Sequence, residues 1–226
     1  MLHATEILGA ETYDAQGHFV GHVKELFIEP ADQPSRVARM LLGRGKYRPL
    51  LARHDQVAFV APGTIRLNVD EMPFVVAKPH QFGNVAPVDE ARGTRINQAQ
   101  IGSCANGRFE DIEIAARMLE GRKVAKGVRF LVSPASQQVY LRCLKAGLIE
   151  KLVEAGAQVI TPGCGVCQPR VGFLSDGEVC ITATTRNYKG RKGSPKAEIY
   201  LAGPLTVAAA AVAGEIVNPK EVFRGL

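Results

Sequence analysis

Three cysteines have the residue type and the spacing of a metal site. Cys104 lies alone in Ile101-Gly-Ser-Cys-Ala-Asn-Gly107, and Cys164 and Cys167 form a Cys-X-X-Cys pair in Pro162-Gly-Cys-Gly-Val-Cys-Gln-Pro169. Thiolates are the ligands of iron–sulfur clusters and of zinc. Three thiolates are one short of a closed tetrahedral site, so a metal that they hold would keep an open position at which chemistry can occur.

Two other uses of the Cys-X-X-Cys pair remain open from the residues alone. A redox disulfide needs the pair at the start of a helix, where the first thiol is acidified, but Pro169 follows closely and no helix is predicted there. A zinc site needs a fourth ligand, and all five histidines precede Cys104. That ligand would have to be Cys143, Cys180 or a carboxylate, and we predict that both of these cysteines are buried core residues.

Length and composition limit the class of protein. The chain has 226 residues, of which 46% are hydrophobic, enough for one large domain or two small ones. Five cysteines, an odd number, do not suggest a disulfide framework and favour a reducing compartment. We expect a cytoplasmic protein, because no apolar run is long enough to span a membrane and no signal-peptide pattern is found.

The positive charge of the chain is concentrated in one segment. The net charge is +6, and basic residues cluster in Arg186-Asn-Tyr-Lys-Gly-Arg-Lys192. Such a cluster can bind the carboxylates of a small anion or the phosphates of a nucleic acid. A solvated surface loop is an equally good interpretation of the charge alone.

The first third of the chain has the pattern of a small β domain. Residues 7–70 read as short strands, with a turn at Asp14-Ala-Gln-Gly17 and period-two alternation in Ile65-Arg-Leu-Asn-Val69. Residues 75–98 carry closely spaced prolines and glycines and are predicted to be a linker. We therefore expect a β domain at 1–74, a linker at 75–98 and a second domain at 99–226.

From residue 99 onwards, predicted strands and helices alternate. This alternation favours an α/β fold with a mostly parallel sheet that is covered on both faces. Both cysteine loops follow predicted strands, so both can reach the carboxyl edge of the sheet, where ligands of such folds bind. Strands are predicted at 98–101, 128–132, 158–160, 179–182 and 199–201, and helices at 109–120, 136–145, 148–154 and 204–213.

Five segments together resemble the aconitase superfamily, in particular the C-terminal three-layer α/β/α domain of the large subunits of 3-isopropylmalate dehydratase and homoaconitase. The resemblance extends over about residues 79–222. The segments are Ile101-Gly-Ser-Cys-Ala-Asn-Gly-Arg-Phe-Glu-Asp111, Gly121-Arg-Lys-Val124, Pro162-Gly-Cys-Gly-Val-Cys167, Thr185-Arg-Asn-Tyr-Lys-Gly-Arg191 and Ala202-Gly-Pro-Leu-Thr-Val-Ala-Ala209.

This resemblance implies a [4Fe–4S] cluster and a hydro-lyase that acts on hydroxy di- or tricarboxylic acids. In the family three cysteines hold the cluster, and the fourth iron binds the substrate hydroxyl and carboxylate as a Lewis acid. The matching cysteines are Cys104, Cys164 and Cys167. Arg186 and Arg191 match arginines that bind substrate carboxylates, a task suited to the guanidinium fork.

The remaining matched positions lie near the three cysteines or next to Arg186 in the sequence. Asn106 matches a family position beside the cluster, although a turn residue is an alternative interpretation. The chain departs from the family pattern at Ala105, Val166, Gln168 and Thr185. The resemblance therefore implies a pocket around the cluster that differs from that of the family at these positions.

The family also implies partners for this chain. Its large subunit has two further α/β domains, and a separate swivelling domain supplies the serine base. We therefore expect catalysis only when other subunits or domains complete the chain, either as partners or within a homo-oligomer. No nucleic-acid partner is expected.

Residues 5–72 resemble a PRC-barrel, a small β domain that acts as a binding or assembly module. The residues concerned are Ile7-Leu-Gly-Ala-Glu-Thr-Tyr-Asp-Ala-Gln-Gly17 and Val20-Gly-His-Val-Lys-Glu-Leu-Phe-Ile28. This resemblance supports an alternative function, a non-catalytic cluster-binding module whose β domain binds a partner. His18 and His22 are expected to be solvated hairpin residues and not metal ligands.

Overall fold

The chain forms two compact units, residues 1–72 and residues 73–226. The structure, a computed structural model, describes residues 7–14, 16–28, 37–44, 47–53, 57–61, 63–67 and 73–223. No helix in these residues is long and apolar enough to cross a membrane.

The described part of the first unit is a six-stranded sheet, as the strand pattern predicts. In order across the sheet, the strands are β4-β3-β2-β1-β6-β5, with β1 and β6 parallel and the other neighbours antiparallel. The core contains Val23, Leu42 and Ile65, whose exposed fractions are at most 1%. The strands are β1 (Glu11–Tyr13), β2 (Phe19–Ile28), β3 (Val37–Arg44), β4 (Tyr47–Arg53), β5 (Val57–Ala61) and β6 (Thr64–Leu67).

The predicted turn at residues 14–17 joins β1 to β2. Gly17 has a φ of +85°, a left-handed conformation that glycine adopts without a steric penalty. The exposed His18 ring contacts Asp14, with Nδ1 and Oδ2 3.1 Å apart, and Nδ1 of His22 lies 3.3 Å from the carbonyl oxygen of Gly9. The resemblance of this unit to a PRC-barrel stays a prediction.

The second unit is built on a seven-stranded, mostly parallel sheet, and its α/β class confirms the prediction. The order is β11-β10-β9-β12-β13-β7-β8. The first five strands in this order are parallel, and β7 and β8 are antiparallel additions at one end. The strands are β7 (Val75–Ala77), β8 (Val85–Pro87), β9 (Gln98–Gly102), β10 (Arg129–Ser133), β11 (Gln158–Val159), β12 (Val179–Thr182) and β13 (Glu198–Ala202).

Residues 75–98, predicted to be a linker, instead carry β7, β8 and a 3-10 helix at Val88–Ala91. Val76 and Val88 are fully buried. Of the prolines and glycines that suggest a linker, Pro79 and Gly83 lie in the turn between the two strands, and Pro87 lies in β8 itself. Pro87 is tolerated because β8 is an edge strand, in which a missing N–H donor breaks no ladder.

The helices of the second unit pack into a single hydrophobic core. One face of the second helix is buried, through Ile112, Ala115, Ala116 and Leu119, as its apolar spacing predicts. Ser136 caps the third helix, its hydroxyl accepting a hydrogen bond from the Val139 amide at 3.2 Å. The helices are α1 (Ser103–Asn106), α2 (Phe109–Leu119), α3 (Gln137–Lys145), α4 (Leu148–Glu154), α5 (Pro204–Ala213) and α6 (Pro219–Val222).

The two faces of this sheet are covered differently. Ile101, Phe130 and Ile181 point into the core that the helices share. On the opposite face Gln98, Gln100 and Thr182 are buried beneath loops. A described helix layer is therefore present on one face, and polar side chains on the other obtain hydrogen bonds from loop backbone, as when Gln98 Nε2 donates to the Gly172 carbonyl at 2.9 Å.

Candidate metal centre

The six predicted site residues follow three strands of the parallel sheet. Since β9, β11 and β12 are parallel members of one sheet, their carboxyl ends lie at the same edge. Cys104 and Asn106 follow β9, Cys164 and Cys167 follow β11, and Arg186 and Arg191 follow β12. The fold therefore places the loops that carry all six residues at one edge, as expected for a ligand site.

The loop of Cys104 is held close to the end of β10. A Cβ atom on Gly102 would lie 2.2 Å from the carbonyl oxygen of Ser133, and one on Gly107 would lie 2.4 Å from the same oxygen. Only glycine permits this approach. Ser103 has a φ of +63°, and its buried hydroxyl has no hydrogen-bond partner in the described residues. This strained turn leaves the next side chain, Cys104, exposed.

Asn106 connects the loop after β9 to the loop after β12. Its side-chain amide donates a hydrogen bond to the carbonyl oxygen of Ala183. Ala183 in turn donates its backbone N–H to the carbonyl of Gln100 at 2.9 Å. Asn106 is thus more than a turn residue, because it holds two loops of the candidate site together.

The Cys-X-X-Cys segment forms a tight turn. The backbone amides of Cys167 and Gln168 donate to the carbonyl oxygen of Cys164 at 3.1 and 3.2 Å. Cys164 is exposed, whereas Cys167 is buried with 8% of its surface accessible. The pair therefore presents one thiol outwards and one against the loop that follows β12.

The thiol of Cys167 has polar contacts that favour its ionised form. Burial is the largest influence on its pKa and raises it, but hydrogen bonds from Arg191 and Thr185 outweigh burial, so the pKa lies below the usual thiol value. Arg191 Nη2 lies 3.2 Å and Thr185 Oγ1 lies 3.7 Å from the sulfur. Thr185, a departure from the family pattern, thus contacts a predicted ligand directly.

The two predicted carboxylate-binding arginines occupy different positions. Arg191 contacts Cys167 and also donates to the Tyr188 hydroxyl at 2.9 Å, and its buried Nε has no partner among the described residues. Arg186 is exposed, donates to the Thr185 carbonyl at 2.8 Å, and lies 6.0 Å from the Phe82 ring. It lines a cavity of about 430 Å³ together with residues 80–83, Asn187 and Tyr188.

The segment that forms one wall of this cavity is not recognisable as part of a site from the sequence alone. Residues 80–83 lie in the turn between β7 and β8, which the linker prediction excluded from the site. Asn187 holds the turn in place by donating to the carbonyl oxygens of Lys78 and Gln81 at 3.0 and 3.3 Å. The proline and glycine content conceals this role, because a hairpin turn and a linker share those residue types.

Cys143 and Cys180 are fully buried, as predicted for core residues. Burial raises the pKa of the Cys143 thiol to about 11 and raises that of Cys180 as well. Neither thiol is suited to ionise. The three loop cysteines are therefore the better ligand candidates in the described residues.

The donor set fits an iron–sulfur cluster. Within the described residues no three Cys, His, Asp or Glu side chains converge on one ion. A cluster does not require such convergence, because each cysteine binds a different iron. Three thiols in loops at one sheet edge form a soft ligand set, and the arginine beside Cys167 favours the thiolate form in which a cysteine binds metal.

The chain is similar to known proteins over most of its length. Residues 69–214 match the model of the aconitase family (aconitate hydratase). The 3-isopropylmalate dehydratase large subunit 2 of Archaeoglobus fulgidus is 49% identical over 196 residues, which are 86% of this chain and 46% of that protein. The large subunit 2 of Pyrococcus furiosus is 50% identical over 157 residues, 69% of this chain and 41% of that protein.

The lengths of these alignments show two further features of the chain. The chain spans less than half the length of these relatives. The alignment with the Archaeoglobus protein is longer than the whole second unit, so it necessarily includes residues of the first unit. The family match covers more than half of the chain and includes the three cysteines and both arginines at the carboxyl edge of the sheet. On these grounds, the chain belongs to the aconitase family.

Proposed function

We propose that this chain is the iron–sulfur part of an aconitase-type hydro-lyase that acts on hydroxy di- or tricarboxylic acids of the 3-isopropylmalate class. The observation that supports this most strongly is the grouping of Cys104, Cys164 and Cys167 in loops at one sheet edge, with Arg191 hydrogen-bonded to Cys167. It occurs in a chain about half identical to named 3-isopropylmalate dehydratase large subunits.

In this proposal the three cysteines hold a [4Fe–4S] cluster. When bound by three thiolates, such a cluster supplies an open iron that acts as a Lewis acid on a substrate hydroxyl. Arg191 stabilises the Cys167 thiolate through the hydrogen bond from Nη2. Asn106 keeps the loop of Cys104 against the end of β12 through its bond to Ala183.

Arg186 is our candidate for binding a substrate carboxylate. Its guanidinium has no carboxylate partner in the described part of the chain, and it faces a cavity lined by Phe82 and Tyr188. A fixed guanidinium beside aromatic side chains suits an acid that carries both a carboxylate and an apolar group. Arg191 is the second candidate for carboxylate binding, and it lies beside Cys167 without lining this cavity.

Other chains or domains complete the enzyme in this proposal. The relatives are named large subunits, which implies a smaller partner, and this chain spans less than half of their length. We therefore propose that the acid–base groups come from further domains and a small subunit, working in the cytoplasm. The PRC-barrel resemblance of the first unit stays a prediction, because the long alignment with a dehydratase subunit accounts for that region equally well.

Anaerobic reconstitution with iron and sulfide tests the cluster. We expect absorption and EPR spectra of a [4Fe–4S] cluster in the wild-type chain, and their loss in Cys104→Ser, Cys164→Ser and Cys167→Ser. Cys143→Ala is the matched control, because this cysteine is buried in the helical core. Full cluster occupancy in Cys104→Ser would show that the assignment of the three ligands is wrong.

An activity assay separates a catalyst from a cluster-binding module. Isomerisation of isopropylmalate and of citrate is measured with the reconstituted chain alone and after addition of the missing domains and a small subunit of a dehydratase. We expect turnover only in the completed assembly. Turnover by the chain alone contradicts the proposed need for partners, and a completed assembly without turnover on either substrate contradicts the proposed reaction.

A further inference from the structure

Lys192 is the most deeply buried charged side chain in the described residues. Only 1% of its surface is exposed. Burial of an ammonium group costs free energy unless hydrogen bonds compensate it, and no carboxylate in the described residues pairs with this one. An apolar side chain of similar length would fill the same space without the free-energy cost of desolvating an ammonium group.

The contacts of Lys192 join the two cysteine loops. Its Nζ donates to the side-chain oxygen of Gln100, a residue of β9, and to the carbonyl oxygen of Val166 at 2.6 Å. Val166 lies inside the Cys-X-X-Cys pair. Gln100 precedes Cys104 by four residues and is held on its other side by Thr182, whose hydroxyl lies 3.4 Å from the same oxygen. A single ammonium group therefore ties the loop of Cys164 and Cys167 to the strand that delivers Cys104.

Lys192 and its neighbour Arg191 act on the pair from different directions. Arg191 donates to the sulfur of Cys167 from within the candidate site, whereas Lys192 holds the backbone of the same turn from beneath, on the sheet side. The first contact concerns the charge of one thiol. The second concerns where the whole turn lies relative to Cys104.

We propose that Lys192 is a positioning residue that sets the placement of the Cys-X-X-Cys turn relative to Cys104, so that the three thiols can hold one cluster. The effect of Lys192 on cluster binding rests on the proposed function. The tether itself, meaning the hydrogen bonds of Lys192 to Gln100 and Val166, can be measured without a cluster. Residues that orient metal ligands are often as important for retention of the metal as the ligands.

The tether is tested first in the metal-free protein. Lys192→Met removes the donor with little change in length, and Gln100→Leu removes one acceptor from the other end. In each variant we expect faster amide hydrogen exchange in residues 162–168 than in the wild type, with unchanged exchange in the core helix at 109–119. Unchanged exchange at 162–168 in both variants would overturn the inference.

Cluster retention is tested next in the reconstituted protein. The rate of iron release to a chelator should increase by roughly 10-fold to 100-fold in Lys192→Met, the range typical for residues that support metal ligands. Gln100→Glu keeps an acceptor for Lys192 and should retain the cluster as the wild type does. The double variant Lys192→Met/Gln100→Leu should release iron no faster than Lys192→Met, because both changes break one tether.

Arg129→Met is the control for a general loss of stability. Arg129 pairs with Glu178 through two hydrogen bonds of 2.9 Å and donates to Gln98, so it belongs to a polar network at the opposite edge of the same sheet. The variant Arg129→Met should have a lower free energy of unfolding than the wild type but should release iron at the same rate. An equal increase in the rate of iron release in Arg129→Met and Lys192→Met would show that Lys192 contributes only to general stability and would contradict the inference. Absence of any cluster in the wild type would instead refute the proposed function, while the exchange measurement still decides the tether.

Discussion

At the scale of single residues, the five cysteines separate by environment. Cys143 and Cys180 are fully buried, and burial raises the pKa of both thiols. Cys167 is nearly as buried, but hydrogen bonds from Arg191 and Thr185 reverse the effect on its pKa. Burial alone therefore does not determine which thiol can ionise. The donors that face the sulfur determine it.

Arg191→Gln should make Cys167 less reactive in the metal-free protein. Burial raises the pKa of this thiol, and the hydrogen bond from Arg191 lowers it. Without the guanidinium the pKa rises, so the thiolate fraction near pH 8 falls. We expect alkylation of Cys167 by iodoacetamide, followed by peptide mass spectrometry, to slow and to require a higher pH.

Two internal comparisons control for this experiment. Alkylation of the exposed Cys104 should not change, and Lys189→Gln, which removes an exposed charge from the same loop, should leave Cys167 as reactive as in the wild type. A similar decrease in Lys189→Gln would assign the effect to the net charge of the loop and contradict a specific contact with Arg191.

At the scale of elements, the end of β10 positions the loop of Cys104. The carbonyl oxygen of Ser133 approaches both Gly102 and Gly107 so closely that a Cβ atom fits at neither position. The same strand begins at Arg129, which binds Glu178 before β12. The two ends of β10 thus serve different purposes: one end makes room for a site loop, and the other anchors the sheet.

Gly102→Ala should destabilise the chain by about 3 kcal/mol, because the new methyl group meets the Ser133 backbone and the φ of +138° is unfavourable for alanine. Urea unfolding measures the loss. Gly121→Ala is the matched control, since its φ of +72° is also positive but its surroundings are open. Its cost should be about 1 kcal/mol, and equal losses at the two positions would argue against the steric contact.

Glu178→Gln should reduce stability at neutral pH and have less effect in acid. Hydrogen bonds from Arg129 lower the pKa of Glu178 below its usual value of 4.5, so the pair contributes stability above that pH and loses it as the pH falls through the lowered pKa. We expect a difference from the wild type of about 1 kcal/mol at pH 7, because solvent reaches the guanidinium.

The difference between Glu178→Gln and the wild type should shrink as unfolding is measured at successively lower pH. Asp176→Asn is the control, because its pair with Lys196 is largely exposed on both sides. Hydrogen bonds from Lys196 and Ser194 also lower the pKa of Asp176, but solvent screens this pair, so the Asp176→Asn variant should differ from the wild type by less than Glu178→Gln at every pH. A difference for Glu178→Gln that grows in acid would reverse the sign of the proposed linkage.

At the scale of the whole molecule, the chain consists of two compact units, and the residues of the candidate site all belong to the second. The described residues of its main hydrophobic core run from Phe74 to Phe223. Alignments with dehydratase large subunits nevertheless continue into the first unit. The candidate site and the role of the first unit can therefore be tested in separate experiments.

Residues 73–226, expressed without the first unit, should fold by themselves, because their hydrophobic core is complete within the fragment. We expect one cooperative transition in urea, followed by far-UV circular dichroism, and the same iron content after reconstitution as in the full chain. A gradual, non-cooperative transition would mean that the first unit supplies part of the core.

The sequence by itself indicates the candidate chemistry of this chain. The three cysteines, the basic cluster at 186–192 and the α/β alternation are evident from residue types and spacing, because ligand chemistry and periodicity are local properties. The two arginines within the basic cluster are singled out by the family resemblance. The apolar face of α2 and the serine cap of α3 follow from the same local rules.

Only the tertiary structure decides which residues support that chemistry. Lys192 reads as one member of a basic surface cluster, yet it is buried against Gln100 and Val166, which are 92 and 26 positions away in the sequence. The segment 75–98 reads as a linker, yet it adds two strands to the sheet and a wall to the cavity. Burial and strand pairing depend on contacts between distant residues, and no local pattern encodes these contacts.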